Sequence, residues 1–151
     1  QPLASDLRFV TTGMRINAEL ERIADLSVNI AHRVMDLCKE PMLKPLVHIP
    51  MLSDLAIKMV KSSIDSFVNR ELEMARSVIT LDNDANRLRT RIQHELVNDY
   101  MIKDNSTIPR AISLFLVAQH LERICDHAKY IAEDVVYLVS ARSIKHKHNS
   151  I

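Results

Sequence analysis

The sequence predicts an all-α fold, a bundle of long antiparallel helices, and two observations support this prediction. The 151 residues include one glycine and no tryptophan, and 47% are apolar but only 4% aromatic, which indicates helices around an aliphatic core. Apolar side chains also recur at the spacing of a helix face along most of the chain. This pattern breaks near the prolines at positions 41 to 50 and around residues 104 to 109, so the breaks divide one domain into helices.

The first helix is predicted over residues 5 to 38, with Ser5 as its N-cap. Gly13 is its weak position, because a glycine in a helix interior costs about 1 kcal/mol relative to alanine. Residues 39 to 50 follow as a linker, since each proline in this segment removes a backbone donor and restricts the residue before it.

The rest of the chain is predicted to complete an up-and-down unit. Residues 51 to 69 and 70 to 103 are helical, and the pattern leaves open whether these are two helices or one helix with a kink. Residues 104 to 109 supply a turn and place a proline in the first turn of the last helix, which is predicted to end near residue 142. The basic segment 143 to 151 is expected to be a solvated tail.

A short motif occurs twice: residues 20 to 25 (LERIAD) return at residues 121 to 126 (LERICD). Flanking residues match at the same offset, so a whole helix is duplicated. A heptad frame that begins at Leu20 directs the apolar residues of each copy inward and the carboxylates outward. The inward set is Leu20, Ile23, Ile30, Val34 and Leu37 in the first copy and Leu121, Ile124, Ala128, Ile131, Val135 and Leu138 in the second. The outward carboxylates are Glu21, Asp25, Glu122 and Asp126.

Each copy of the motif places a Glu and an Asp four residues apart, on one face of the helix. Carboxylate oxygens are the ligands that hard cations prefer. The alternative is ordinary surface pairing, because Arg22 and Arg123 each lie three residues before the Asp of their motif. Such an exposed pair contributes at most about 1 kcal/mol. Both interpretations remain open from the motif alone.

Charge and cysteine content disfavour several classes of protein. Twenty basic and nineteen acidic residues leave no net field that would attract nucleic acid. The two cysteines, Cys38 and Cys125, lie in helical patterns, which suits a reducing cytoplasm, and Cys125 is expected to be a small packing residue. No apolar run approaches the roughly 20 residues of a membrane span, and no signal peptide is visible. A cytoplasmic location is therefore expected.

No catalytic constellation is present, so the sequence predicts a protein that is not an enzyme. A ferritin-like oxidase needs Glu-x-x-His on two helices, and no Glu here has a His three residues later. The string at residues 94 to 96 (HEL) is similar to the phospho-accepting helix of histidine kinases, but no downstream proline or nucleotide domain accompanies it. No Gly-rich phosphate loop, zinc-protease motif or nucleophile elbow occurs. His127, beside the second motif, is expected to be solvated rather than a ligand.

Four features together carry a resemblance: residues 1 to 8 (QPLASDLR), the two Glu-Arg-Ile-x-Asp motifs, residues 29 to 31 (NIA) and the stretch from residue 71 to 82 that begins ELEMA. Their combination resembles the PhoU family of bacterial phosphate-signalling regulators. That family is built from two copies of a three-helix unit. The resemblance implies that residues 1 to 38 are the last helix of the first unit and residues 51 to 142 a complete second unit, with the first two helices missing.

The resemblance also implies metal binding. PhoU proteins bind metal ions, in some members clusters of iron or zinc, through repeated Glu/Asp-x-x-x-Asp motifs, and a Mg²⁺- or Ca²⁺-type ion is a further option here. The implied ligands are Glu122 and Asp126 with Asp82 and Asn86 of the neighbouring helix, and Glu21 and Asp25, which would face a helix that this chain lacks. Asn86 stands where the family often has Asp, which removes a charge and is expected to weaken binding.

The implied role is that of an adaptor between a phosphate ABC transporter ATPase and a phosphate sensor histidine kinase. Such a protein holds the phosphate-starvation response off when phosphate is plentiful, and it reaches the membrane only through these partners. Arg22 and Arg123 are the expected contact points, and an apolar strip on the first helix is expected to form a homodimer. The alternative is a metal-binding or scaffolding bundle without a role in phosphate signalling.

Overall fold

The computed structural model describes the backbone of residues 2 to 148 and the side chains of residues 3 to 141. This part of the chain contains four long helices and no strand, which confirms the predicted all-α bundle. The helices are α1 (Pro2–Leu37), α2 (His48–Asn69), α3 (Leu72–Glu95) and α4 (Ile108–His148). A π-helical segment, Leu96–Met101, continues α3, and a 3₁₀ turn, Asn105–Thr107, precedes α4.

The central helix is α4, which packs against α1, α2 and α3. The backbone of α1 approaches only that of α4, and side chains make its contact with α2, as in the stacked rings of Phe9 and Phe67, whose centroids are 5.1 Å apart. The core is aliphatic. Its largest fully buried side chains include Leu52, Met59, Val78, Leu96, Ile131 and Val135. The described helices α2, α3 and α4 therefore pack together, and α1 adds a fourth helix beside α4.

Both α1 and α2 begin earlier than the sequence predicts. The first residue of α1 is Pro2, so Ser5 lies inside the helix and is not its N-cap. Proline suits this position because an N–H in the first turn has no acceptor within the helix. The same reason accommodates Pro50 in the first turn of α2, which begins at His48. The linker is consequently shorter than predicted and spans residues 38 to 47.

The last helix extends beyond its predicted end near Arg142 and continues to His148. No glycine or proline lies between residues 141 and 148 to stop it. The segment predicted as a solvated tail is thus helical as far as the structure describes it, and residues 149 to 151 lie outside the described residues.

A break at Arg70 makes α2 and α3 separate helices, which resolves the alternative that the sequence left open. Arg70 has a left-handed backbone (φ 55°, ψ 40°), the conformation that commonly ends a helix. Its N–H donates to the Phe67 carbonyl at 3.3 Å, and the Glu71 N–H donates to the Ser66 carbonyl at 3.0 Å. The Arg70 guanidinium also lies 5.0 Å from the centre of the Phe9 ring, which holds this turn against α1.

A π-helical segment replaces the regular helix that was predicted to run to residue 103. The Ile102 N–H donates to the Val97 carbonyl, five residues back, at 3.0 Å. Tyr100 in this segment lies with its ring 5.8 Å from the Lys44 ammonium, and Lys44 also pairs with Glu95. These contacts hold the linker against the end of α3. They join residues far apart in the chain, so the local pattern gives no sign of the wider turn.

The predicted inward face is correct for α4 and holds for α1 except at Val34. In α4 every predicted residue is buried except Leu138, which is half-buried. In α1 the side chains of Leu20, Ile23, Ile30 and Leu37 are half-buried and pack against the core, whereas Val34 is 44% exposed. The fully buried apolar residues of α1 are Ile16, which lies in the same heptad frame, and Leu26. The two copies differ because, among the described helices, α4 packs against three others, whereas the backbone of α1 approaches only that of α4.

We expect Gly13→Ala to raise the free energy of unfolding by about 0.5 to 1 kcal/mol. Gly13 has no positive φ, and a Cβ there would lie 3.9 Å from Phe67 Cζ, an ordinary van der Waals contact. Alanine therefore adds helix propensity without displacing a neighbour. Urea denaturation followed by circular dichroism measures the change. Ala24→Gly, the reverse substitution at an exposed helical site, is the matched control. A lower urea midpoint of unfolding for Gly13→Ala than for the unmodified chain would contradict the prediction.

Candidate metal-binding site

The packing of α3 against α4 brings together four of the predicted ligands. Asp82 of α3 lies close enough to Glu122 and Asp126 of α4 for its charge to raise the pKa of both carboxyls, and the Asn86 amide nitrogen lies 3.5 Å from Asp82 Oδ2. Lys129 of α4 lies among them, with its Nζ 3.0 Å from Asp82 Oδ2 and 3.6 Å from Asp126 Oδ1. We call these five residues the acidic cluster.

Asp82 is the buried member of the acidic cluster, with 7% of its surface exposed. Its Oδ2 accepts from the Lys129 ammonium and, at 3.5 Å, from the Asn86 amide. Its Oδ1 is buried and has no hydrogen-bond donor. A buried acceptor left unpaired costs about 1 to 3 kcal/mol, and more when it is charged. The cluster therefore contains one oxygen whose need for a positive partner is not met by the side chains around it.

Burial and mutual repulsion disfavour the charged forms of the carboxyl groups in the acidic cluster. Burial raises the pKa of Glu122, and the charges of Asp126 and Asp82 raise it further. Burial likewise raises the pKa of Asp126, with the Asp82 charge as the next cause. Burial lowers the pKa of Lys129, but the hydrogen bond that its ammonium donates to Asp82 and the nearby carboxylates outweigh this effect, and the net shift of the pKa is upward. The positive charges that oppose these shifts are the Lys129 ammonium at Glu122 and Asp126 and the Arg89 guanidinium at Glu122.

Cys125 lies behind the acidic cluster and is fully buried. Burial and the surrounding carboxylates raise the pKa of its thiol to about 12. Cys125 therefore packs as a small apolar residue, as predicted, while Cys38 is exposed.

The donors of the acidic cluster fit a hard cation. They are the carboxylate oxygens of Asp82, Glu122 and Asp126 and the amide oxygen of Asn86, which suit Mg²⁺ or Ca²⁺ better than a metal that prefers sulfur or nitrogen. As the side chains are placed, no group of three or more His, Cys, Asp or Glu in the described residues is arranged to hold a metal ion. The Lys129 ammonium lies between Asp82 and Asp126 instead, so a cation would have to displace it.

The first motif does not form an equivalent cluster in this chain. Glu21 and Asp25 are exposed on α1, and Glu21 accepts only a long hydrogen bond, 3.4 Å, from the Asn17 amide. Within the described residues no helix lies opposite them, because α1 packs on α4 by another face. The metal role predicted for these two residues stays a prediction.

The ion pairs suggested by the motif spacing are not the ones that form. Arg22 binds Glu19, at 3.0 Å, rather than Asp25. Asp126 pairs with Lys129 rather than with Arg123. Sequence reasoning overlooked Lys129, although its position three residues after Asp126 on one helix face was a usable signal.

His127 links α4 to α1, so the prediction that it is solvated is wrong. Its Nδ1 lies 2.5 Å from Glu19 Oε2, and both side chains are largely buried. The His127 ring also meets the Tyr130 ring edge-on, with centroids 5.8 Å apart. Nearby, Arg15 and Asp134 approach to 3.9 Å across the same two helices. These polar contacts form only because α1 and α4 lie side by side, and no pattern within a single helix indicates that arrangement.

The geometry defines a class of protein: a helix bundle with a duplicated helix and an acidic cluster where α3 packs against α4. The family model described as the PhoU domain matches residues 1–34 and 49–135. The chain therefore belongs to the PhoU family.

Individual relatives agree with this assignment. A "phosphate-specific transport system accessory protein PhoU homolog" of Aquifex aeolicus is 39% identical over 148 residues, which is 98% of this chain and 66% of that protein. The crystal structure of PhoU from Pseudomonas aeruginosa matches with a TM-score of 0.88 at 35% identity, over 93% of this chain and 68% of that one. The crystal structure of the phosphate transport system regulatory protein PhoU from Streptococcus pneumoniae matches with a TM-score of 0.78 at 26% identity. This match covers 89% of this chain and 63% of that one.

The chain spans 57% to 66% of the length of the first curated relatives that it matches. Among the described residues, no helix combines the length and the apolar character needed to cross a membrane.

Proposed function

We propose that this protein is a non-enzymatic regulator of phosphate uptake and of phosphate-starvation signalling. It acts in the cytoplasm, binds a phosphate ABC transporter ATPase and a sensor histidine kinase, and carries a hard cation in the acidic cluster. The phosphate role is supported by relatives that are named accessory proteins of a phosphate-specific transport system. The observation that carries the cation site is the buried, unpaired Oδ1 of Asp82 beside two further carboxyl groups.

In this proposal the cation takes ligands from both sides of the α3–α4 seam. Asp82 and the amide oxygen of Asn86 come from α3, and Glu122 and Asp126 come from α4. A bound cation supplies positive charge at the position that the Lys129 ammonium now occupies, and Lys129 moves to solvent. Because the ligands belong to two helices, cation binding stabilises their packing. The surface that a partner contacts between α3 and α4 then depends on whether the cation is bound.

Arg22 and Arg123 are the proposed partner contacts. They occupy equivalent positions of the two repeats, and both are exposed. A guanidinium presents a planar set of donors that suits carboxylates on a partner surface. Arg22 is held in place by Glu19, at 3.0 Å, on the same helix.

A chimera tests the phosphate role. Residues 1 to 141 of this chain would replace the matching part of Pseudomonas aeruginosa PhoU, in a host that lacks its own PhoU. We expect alkaline phosphatase expression to stay low at high phosphate, because the replaced part supplies the same fold. Arg123→Ala in the chimera is expected to weaken this repression, whereas Arg87→Ala, at an exposed arginine on α3, leaves it unchanged.

Failure of an expressed and folded chimera to repress would contradict the phosphate role and would favour the alternative of a cation-binding scaffold. Equal repression by the Arg123→Ala and Arg87→Ala chimeras would remove Arg123 from the partner surface. Circular dichroism of each purified chimera separates both results from misfolding.

A further inference from the structure

A continuous series of side-chain contacts leads from the acidic cluster to α1. It begins at Lys129, whose Nζ lies 3.0 Å from Asp82 Oδ2 and 5.4 Å from the centre of the Tyr130 ring. The Tyr130 ring meets the His127 ring edge-on, and His127 Nδ1 lies 2.5 Å from Glu19 Oε2 on α1. Two aromatic side chains thus join Glu19 to the ammonium that a cation in the acidic cluster would displace.

Glu19 divides its two carboxylate oxygens between two partners. Its Oε2 meets His127 of α4, and its Oε1 accepts from the Arg22 guanidinium at 3.0 Å. The Glu19 and His127 side chains are largely buried, whereas Arg22 is exposed. A rotation of this carboxylate that lengthens one contact changes the other as well, so the position of Arg22 depends on the contact with His127.

Tyr130 connects two interfaces of α4 that lie on different sides of the helix. At 3.6 residues per turn, Lys129 lies about 160° around the helix from His127, and Tyr130 lies between them, about 60° from His127. Lys129 therefore faces α3 while His127 faces α1. An ammonium is attracted to the negative face of an aromatic ring, and the positive ring edge is directed at a neighbouring ring. Tyr130 is 41% exposed, so its ring has space to turn when one of these contacts is lost.

We propose that a cation in the acidic cluster controls the contact between Glu19 and Arg22, with Lys129, Tyr130 and His127 as the coupling residues. This inference rests on the proposed cation site. Without the cation, Lys129 points inward and supports the Tyr130 ring, and the ring holds His127 against Glu19. With the cation, Lys129 turns to solvent, the ring loses this support, and the hold on Glu19 and Arg22 weakens.

Such a coupling is reciprocal. A partner that draws Arg22 away from Glu19 favours the arrangement in which Lys129 points outward, and it thereby tightens cation binding. The cation in turn sets how readily Arg22 leaves Glu19 for a partner. The acidic cluster between α3 and α4 and the proposed partner contact on α1 are then two sites of one regulated unit.

Cation affinity measures this coupling from the side of α1. Glu19→Gln keeps the shape of the side chain and weakens its contact with His127, so calorimetric titration is expected to show about two- to fivefold tighter binding of Mg²⁺ or Ca²⁺. A direct effect of charge has the opposite sign, because the loss of a negative charge weakens the attraction for a cation. Unchanged or weaker binding by Glu19→Gln would overturn the proposal.

Tyr130→Leu tests whether the ring carries the coupling. In this background Glu19→Gln is expected to give no tighter binding than Tyr130→Leu alone. Tyr137→Leu removes a tyrosine from the same helix outside the series, where 67% of the residue is exposed, and it is the matched control. There the effect of Glu19→Gln is expected to persist. Equal effects of Glu19→Gln in both backgrounds would overturn the role of Tyr130, and circular dichroism checks the fold of each variant.

Lys129→Met tests the coupling without any cation, because it removes the ammonium that a cation would displace. The Arg22 Nε–H resonance in ¹⁵N NMR spectra reports the position of its guanidinium. It is expected to shift toward its value in Glu19→Gln, whereas Lys58→Met, at an exposed lysine of α2, leaves it unchanged. An unshifted resonance in Lys129→Met would overturn the coupling even if cations bind. A shifted resonance with no calorimetric binding of either cation would instead overturn the cation site and its control of Arg22, while the coupling stands.

Discussion

The Glu122→Ala, Asp126→Ala double variant is expected to bind Mg²⁺ or Ca²⁺ at least about a hundredfold more weakly than the unmodified chain. Even the loss of a residue that only supports a ligand weakens metal binding by about ten- to a hundredfold, and here two ligands are removed. Isothermal titration calorimetry of chelator-treated protein measures the affinity. Asp84→Ala, which removes an exposed carboxylate from α3 outside the acidic cluster, is the control and leaves the affinity unchanged. Equal affinities of the double variant and the unmodified chain would eliminate the site.

Lys129 provides the opposite test. Its ammonium lies 3.0 Å from Asp82 and competes with any cation for the same carboxylates. Lys129→Met removes this charge and keeps most of the apolar stem, so the cation affinity is expected to rise by about tenfold or more. An affinity that falls in Lys129→Met would show that the ammonium supports the ligands rather than competing with the cation.

The same site predicts a dependence on pH. Because the folded protein raises the pKa values of Glu122 and Asp126, protons compete with the cation in the window just above the usual carboxyl range. Cation affinity is expected to rise with pH through this window and to level off above it. Without a cation, the free energy of unfolding depends on pH in the opposite direction. The folded state holds these protons more tightly than the unfolded state, so the free energy of unfolding falls as pH rises through the window. Glu122→Gln is expected to reduce both dependences.

Ile131→Ala is expected to lower the free energy of unfolding by about 2 to 5 kcal/mol. Ile131 is fully buried on α4, the helix that packs against the other three, and its truncation leaves a closed cavity. The repeat provides a matched control in Ile30, the equivalent residue of α1. Ile30 is half-buried and lines an open apolar groove of about 530 Å³ between α1 and α2. Ile30→Ala is expected to cost only about 1 kcal/mol, because less apolar surface returns to water. Urea denaturation measures both changes, and equal losses of unfolding free energy in Ile131→Ala and Ile30→Ala would contradict the difference in packing.

Most of the fold was predictable because helix formation depends on nearby residues. Apolar spacing, the prolines of the linker and the turn before α4 predicted the helices and their order. The errors lie at helix ends, such as the continuation of α4 to His148, and at the π-helical segment. Tyr100 of that segment contacts Lys44 of the linker, which also pairs with Glu95 at the end of α3. Patterns within a helix carry no information about such distant contacts.

The acidic cluster was predictable only in part. The Glu122 and Asp126 pair follows from a spacing of four residues, and the pairing with Asp82 and Asn86 followed from the resemblance to PhoU. The pairing of Lys129 with Asp126 could have been predicted from their spacing, but its bond to Asp82 and the unpaired oxygen of Asp82 could not, because both depend on the position of α3 beside α4. The contact between His127 and Glu19 was missed for the same reason.

By itself the sequence determined that this protein is helical, that one of its helices is duplicated and that each copy carries stacked carboxylates. These properties follow from composition and from spacing along a single helix. The resemblance implied that the first motif would face no helix in this chain, and only the tertiary structure decided which charges surround the second motif. Glu122 and Asp126 lie opposite α3, while Glu21 and Asp25 are exposed to solvent. The physical reason is that the pKa, the burial and the charge partners of a side chain are set by the helix packed against it, and that helix is chosen by the whole fold.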